Sequence, residues 1–122
     1  MSTVISGVDF VALQVLDLDA SRDFYVEKIG LVPARQSPPG AVVFDTQPIP
    51  FAIRTPLVDL SATDKLGWGT AIWLHCEDSA GLHSQLVERG VRIVQPVTPG
   101  PFGNTFSFED PDGYVLTVHD HA

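Results

Sequence analysis

The stretch "VALQVLDLDASRDFYVEKIGL", Val11 to Leu31, decides the fold. Val11, Leu13 and Val15 alternate with Phe10, Ala12 and Gln14, the period-two pattern of a strand with two different faces. Asp17 or Asp19 then offers a side-chain cap for a helix. Phe24, Tyr25 and Ile29 recur at helical spacing, and Gly30 stands where a left-handed C-terminal cap is expected. A second copy runs from Thr70 to Pro96, "TAIWLHCEDSAGLHSQLVERGVRIVQP". Here Ile72, Leu74 and Cys76 alternate with Ala71, Trp73 and His75; Asp78 or Ser79 can cap; Leu82 and Leu86 follow, then Gly90. With Asp17 aligned on Asp78, Gly30 falls one residue from Gly90, an internal echo of one unit.

Beyond each glycine come further strand-like runs: "AVVFD" and "PFAIRT" in the first half, "VRIVQP", "NTFSFED" and "YVLTVHD" in the second. Pro38, Pro39 and Gly40 break the first series; Pro99, Gly100 and Pro101 break the second. Each half therefore reads β-α-β-β-β, an α+β arrangement with the aliphatic strand face against a helix and the mixed face uncovered. Two such sheets side by side would enclose a cleft. The expected organisation is a single domain with module one at about 6–57, a linking segment at about 58–69 and module two at about 70–120.

Composition bounds the function. The chain has 122 residues, 44% hydrophobic and 18% charged, as in an ordinary globular domain. No apolar run is long enough to span a bilayer, and "MSTVISGVDF" lacks the basic and apolar regions of a secretion signal, so a cytoplasmic location is expected. The net charge of −8, from 15 acids against 7 bases, repels polyanions. Nucleic acids and anionic membranes are not expected partners, whereas a cationic small ligand would be steered in. The single cysteine, Cys76, excludes an intrachain disulfide framework and a cysteine-rich zinc site, and reads as a small apolar residue.

The terminal stretch "FEDPDGYVLTVHD", Phe108 to Asp120, gathers acids and a histidine but reads as a turn followed by a strand. In Asp110-Pro111-Asp112-Gly113, proline fixes one dihedral, aspartate bonds its own backbone and glycine supplies positive φ. The spacing of acids in a calcium loop is absent. Phe108, Leu116 and Val118 then face the helix, and Val115, Thr117 and His119 the open side.

Together, the strand-helix unit at Val11–Leu31, with its Asp-Leu-x-x-Ser-x-x-Phe-Tyr pattern at Asp17–Tyr25, and the terminal turn and strand resemble the vicinal oxygen chelate superfamily. That superfamily comprises glyoxalase I, extradiol dioxygenases, fosfomycin-resistance enzymes and bleomycin-resistance-type binding proteins. The resemblance covers essentially the whole chain. It implies paired βαβββ modules forming an open eight-stranded cup, and a frequent homodimer with clefts shared between chains. The fold hosts many activities.

The resemblance also implies where metal-dependent members carry their ligands: on the first and last strands of each module. The first position is Phe10, seven residues before Asp17; its counterpart before Asp78 is Ala71, or Thr70 with a one-residue shift. On the last strand the family glutamate, four residues past the turn glycine, is Thr117, and the looser first-half position falls among Ala52, Ile53 and Arg54. None is a strong donor for a transition metal, so neither a metal nor any other cofactor is expected. His75 and His119 share the cavity parity, whereas His83 is expected on a solvated helix face and His121 in the tail.

The expected cavity wall is then Phe10, Gln14, Trp73, His75, Thr117 and His119, joined by residues of the run Phe51, Ala52, Ile53 and Arg54, with Phe51 and Ile53 taken as the wall positions and the facing of that run left open. Trp68 stands as a rim or a dimer contact, and Phe102 in a loop able to close over the cup. Phe24, Tyr25, Phe44, Phe106 and Phe108 are assigned to the core. An aromatic wall with few neutral polar groups suits stacking on a planar ligand. No serine elbow, Cys-His pair or paired carboxylates are visible, and catalytic residues are not assigned. The reading is a metal-independent binding protein that sequesters a hydrophobic, partly aromatic small molecule, an antibiotic by resemblance to the drug-binding members. Those relatives take bleomycins, mitomycins, phenazines and enediynes. The alternative is a lyase, isomerase or dioxygenase of the same superfamily with a displaced metal site.

Overall fold

The computed structural model describes residues 3–121, which divide into two compact units, 3–59 and 60–121. In the first, β1 (Val11–Gln14) leads into α1 (Leu18–Asp23), followed by β2 (Ala41–Phe44) and β3 (Phe51–Arg54). Its sheet has the order β1-β3-β2, with β1 parallel and β2 antiparallel to β3. In the second, β4 (Trp73–His75) leads into α2 (Ser79–Glu88), then β5 (Arg92–Gly100), β6 (Gly103–Glu109) and β7 (Val115–His119), in the order β4-β7-β6-β5. Both sheets place the strand before the helix beside the last strand of the unit, so the internal echo is one topology used twice.

The units differ in two ways. The expected fourth strand of the first unit is reduced to an isolated bridge, Pro33 to Phe44. The amides of Asp45 and Ala34 still donate to the carbonyls of Val32 and Val43, at 2.7 and 2.8 Å. These two bonds flank Pro33 and Phe44 as a non-hydrogen-bonded pair, a position that the missing N–H of proline does not disturb, and the chain soon enters the Pro38-Pro39-Gly40 turn. Seven strands are therefore formed among the described residues where eight were expected.

The helices differ as well. Asp17 caps α1 by accepting from the Ala20 amide at 3.0 Å, and Asp78 caps α2 by accepting from the Gly81 amide at 2.9 Å. Gly30 lies thirteen positions after Asp17, but Gly90 only twelve after Asp78. The surplus residue is absorbed because α1 widens into a π-helical segment, Phe24–Ile29, closed by the Gly30 amide on the Tyr25 carbonyl. An inserted residue inside a helix is accommodated by this wider hydrogen-bond ring. Gly30 at φ 91° and Gly90 at φ 76° make the left-handed exits.

Each unit has its own core. In the first, the buried Tyr25 ring lies 5.2 to 5.8 Å from Phe24, Phe44 and Phe51, over buried Leu13, Val15 and Ile53. In the second, Leu86 packs among Phe106, Phe108, Leu116 and Val118, all fully buried. His83, expected in solvent, is half-buried with its ring edge-on to Phe106 at 5.3 Å. The linking segment packs with the second unit: Leu60 is buried, and a side chain at Gly67 would touch the Tyr114 ring. The terminal turn forms as read, with Asp110 Oδ1 accepting from the amides of Asp112 and Tyr114 at 2.9 Å.

Candidate functional site

Strand register assembles the candidate site within the second unit, on the sheet face away from α2. Trp73 pairs with Thr117 and Thr117 with Ser107; His75 pairs with His119 and His119 with Thr105. Residues opposite one another on neighbouring strands point to the same face, so two rows of side chains stand side by side. The next residues along, Leu74, Val118 and Phe106, turn toward α2 and the core.

An aromatic corner forms on this face. The Trp73 ring lies edge-on to Phe102 at 5.5 Å and to His119 at 5.8 Å, and His119 lies edge-on to His75 at 5.5 Å. Trp73 is 47% and Phe102 51% exposed, so two large rings present surface to a ligand and are not consumed by the core. The loop carrying Phe102 is held in place. The His121 amide donates to the Phe102 carbonyl at 3.1 Å, and Asp120 Oδ1 accepts from the Asn104 amide at 2.7 Å. Asp120 Oδ2 also accepts from the Ser79 amide at the start of α2, at 3.4 Å. One carboxylate thus ties the end of β7 to the start of β6 and to the helix N-terminus, where negative charge is favourable. His121, expected in a loose tail, is part of this latch, with its ring 6.5 Å from Phe102.

The floor of the face is polar where Ser107 Oγ and Thr117 Oγ1 share a hydrogen bond at 2.9 Å. Farther along, Arg92 Nε pairs with Glu109 Oε2 at 3.2 Å. Cys76 is on the other parity, its thiol donating to the Asp78 carbonyl at 3.6 Å, and so lies outside the site.

The residues expected on the wall from the first unit fare differently. Phe10 precedes β1 and is half exposed. Gln14 Oε1 accepts from the amides of Leu57 and Val58, at 2.6 and 3.2 Å, and so holds the chain after β3. Phe51 and Ile53, expected on the wall, are instead buried on the helix side: Phe51 contacts Tyr25 and pairs with Val11 and Phe44, and Ile53 pairs with Leu13. The positions of β3 with the opposite parity are Ala52 and Arg54. Trp68 is 83% exposed, with Lys65 Nζ 5.0 Å from its ring centroid. Ser107, Gly103 and Asp120 join the site through the structure alone, since nothing in the sequence separates them from an ordinary strand serine, turn glycine or surface acid.

The donor set does not fit a metal. Thr117, which stands at a ligand position of metal-dependent relatives, shares its hydroxyl with Ser107. Among the described residues no group of three His, Cys, Asp or Glu side chains is placed to hold an ion. Also among them, no helix is long and apolar enough to cross a membrane.

Residues 7–118 match the family model described as the Glyoxalase/Bleomycin resistance protein/Dioxygenase superfamily. No curated protein matches the chain. Among solved structures, UcmS2 is similar with a TM-score of 0.78 and 25% identity, over 96% of this chain and 99% of that one. A glyoxalase/bleomycin resistance protein/dioxygenase superfamily member from Sphaerobacter thermophilus DSM 20745 has a TM-score of 0.70 and 27% identity, over 94% and 97%. TnmS3, an antibiotic binding protein from Streptomyces sp. CB03234, has a TM-score of 0.76 and 23% identity, over 99% and 100%.

Proposed function

The chain belongs to the glyoxalase/bleomycin resistance protein/dioxygenase superfamily, and from that premise we propose that it binds and sequesters a planar, partly aromatic small molecule without a metal. The observation that carries this reading is the pair of half-exposed rings, Trp73 and Phe102, set edge-on beside His119 and His75. A planar ligand laid on such a corner gains apolar burial and ring stacking together. The hydroxyls of Ser107 and Thr117 are hydrogen-bonded to each other, which lowers the cost of laying an apolar ligand over them.

An antibiotic is the proposed ligand class. TnmS3 is described as antibiotic binding, and its likeness to this chain supports that choice at the level of the fold. Sequestration in the cytoplasm, as a means of resistance, belongs to the same proposal. So does a homodimer: Val4, Ile5 and Val8, exposed by 80, 90 and 74%, give the first unit an apolar stretch of the kind that subunit contacts cover. Sedimentation velocity at micromolar concentration should show the dimer mass, and a compact monomer would refute the assembly.

A thermal-shift screen of planar aromatic compounds, neutral and cationic, tests the function. A true ligand at a hundred times its Kd adds about 2.7 kcal/mol of stability, a rise in Tm of several degrees, and should quench tryptophan fluorescence to saturation at a fixed stoichiometry. A panel of such compounds that shifts neither signal would refute the reading.

A further inference from the structure

Resting on the aromatic-corner reading, we infer that the site selects planar ligands whose ring system carries a conjugated carbonyl oxygen, received by the Nε2–H of His119. The inference starts from an orphan atom. His119 Nδ1 is buried and makes no hydrogen bond among the described residues. Its ring is wedged between Trp73 at 5.8 Å and His75 at 5.5 Å, edge-on to both.

A neutral imidazole carries one proton on one of its two nitrogens, and the environment chooses which. A proton on the buried Nδ1 would be a donor with no acceptor, the arrangement that folded proteins most strongly avoid. Nε2 is not among the buried orphans, so a proton placed there can be met by water or by a ligand. The tautomer that follows is Nε2–H, with a bare Nδ1. The half-buried His119 therefore presents a single donor, held by its ring contacts beside the Trp73 surface.

A donor in that place discriminates by chemistry. A ligand oxygen conjugated to the stacked ring lies in the ring plane and can accept from a side chain at the edge of the stack. A hydrocarbon of the same shape would strip water from Nε2–H and return nothing, a loss that makes hydrogen-bonding sites selective. His75, paired with His119 across the strands, extends the polar edge of the corner.

Two measurements test this in the whole chain. Long-range ¹H–¹⁵N correlation spectra of the histidines at a pH where His119 is neutral should show the Nε2–H tautomer for His119; an Nδ1–H tautomer would overturn the inference whatever binds. Affinities for 9-fluorenone and fluorene, planar tricyclics that differ by one carbonyl oxygen, should be measured for the wild type and for His119→Leu. The fluorenone-to-fluorene preference should fall roughly five-fold in the variant, the worth of about one neutral hydrogen bond. An unchanged preference, with both probes still bound, would sink the donor role of His119 and leave the aromatic corner standing. If neither probe binds the wild type, the corner itself is refuted and the inference goes with it.

Discussion

Trp73→Ala should weaken the binding of a planar aromatic ligand by roughly thirty-fold while leaving the fold intact. The indole is 47% exposed and contacts Phe102 and His119 at its edges, so much of its surface is available to a ligand. Losing that surface removes burial and stacking worth about 2 kcal/mol, which converts to the stated change in Kd. The strand should tolerate the change at a cost of about 1 kcal/mol or less, because β4 pairs with β7 through its backbone and the core lies on the other face. Calorimetric titration is the suitable readout, since the substitution also deletes a fluorophore. Affinity within three-fold of the wild type, with an unchanged Tm, would show that the ligand sits elsewhere.

Gly103→Ala should be the most damaging small substitution near the site, lowering stability by about 3 kcal/mol. Gly103 has φ +79°, and an added Cβ would collide with Asp120 Oδ1 and approach the His121 amide to 3.0 Å. The left-handed backbone alone costs a side chain about 1–2 kcal/mol. The collision also displaces the carboxylate that accepts from the Asn104 amide at 2.7 Å, and a hydrogen bond to a charged group contributes about 1.5–3 kcal/mol. For a chain of this size the sum is a fall in Tm of roughly 10 °C. Phe102 is the residue next to Gly103, and His121 bonds its carbonyl, so near-ultraviolet circular dichroism of the Trp73–Phe102 pair should change too. A wild-type Tm would mean that the Asp120 latch does not hold this loop.

Much of the fold was legible because alternation and capping are local. The strand before each helix separates an aliphatic face from a mixed one, and the structure follows it: Leu13 and Val15 are buried and Leu74 half-buried, whereas Trp73 and His75 are exposed. Asp17 and Asp78 cap as their positions suggest. β3 was not legible in this way. Phe51, Ala52 and Ile53 are all buried, and β3 is the central strand of its sheet, flanked by β1 and β2. An unbroken apolar run carries no parity, so the sequence leaves open which face Phe51 and Ile53 take, and the register puts them on the helix side with Val11 and Leu13. The fourth strand of the first unit is cut short where the chain turns at Pro38-Pro39-Gly40, a break that the sequence shows but whose reach into the preceding pairing it does not.

The candidate site was half legible. Parity alone places Trp73, His75, Thr117 and His119 on one face. The meeting of Phe102 with Trp73 depends on how a loop is fastened, through backbone amides of Asn104, Ser79 and His121, and backbone partners leave no side-chain pattern to read. Asp120 looks like a solvated acid in a sequence rich in acids; its role follows from the three segments that converge on it.

The wide helical turn at Phe24–Ile29 bears on how a doubled chain can drift apart. A residue gained in a strand, unless a bulge absorbs it as in β5, inverts every side chain beyond it and empties the core onto the surface. A residue gained in this helix is taken up within one turn, and the strands that follow keep their step. The helices are thus where descendants of a duplicated ancestor can change length without penalty to either sheet, and length differences among relatives should collect there and in the turns.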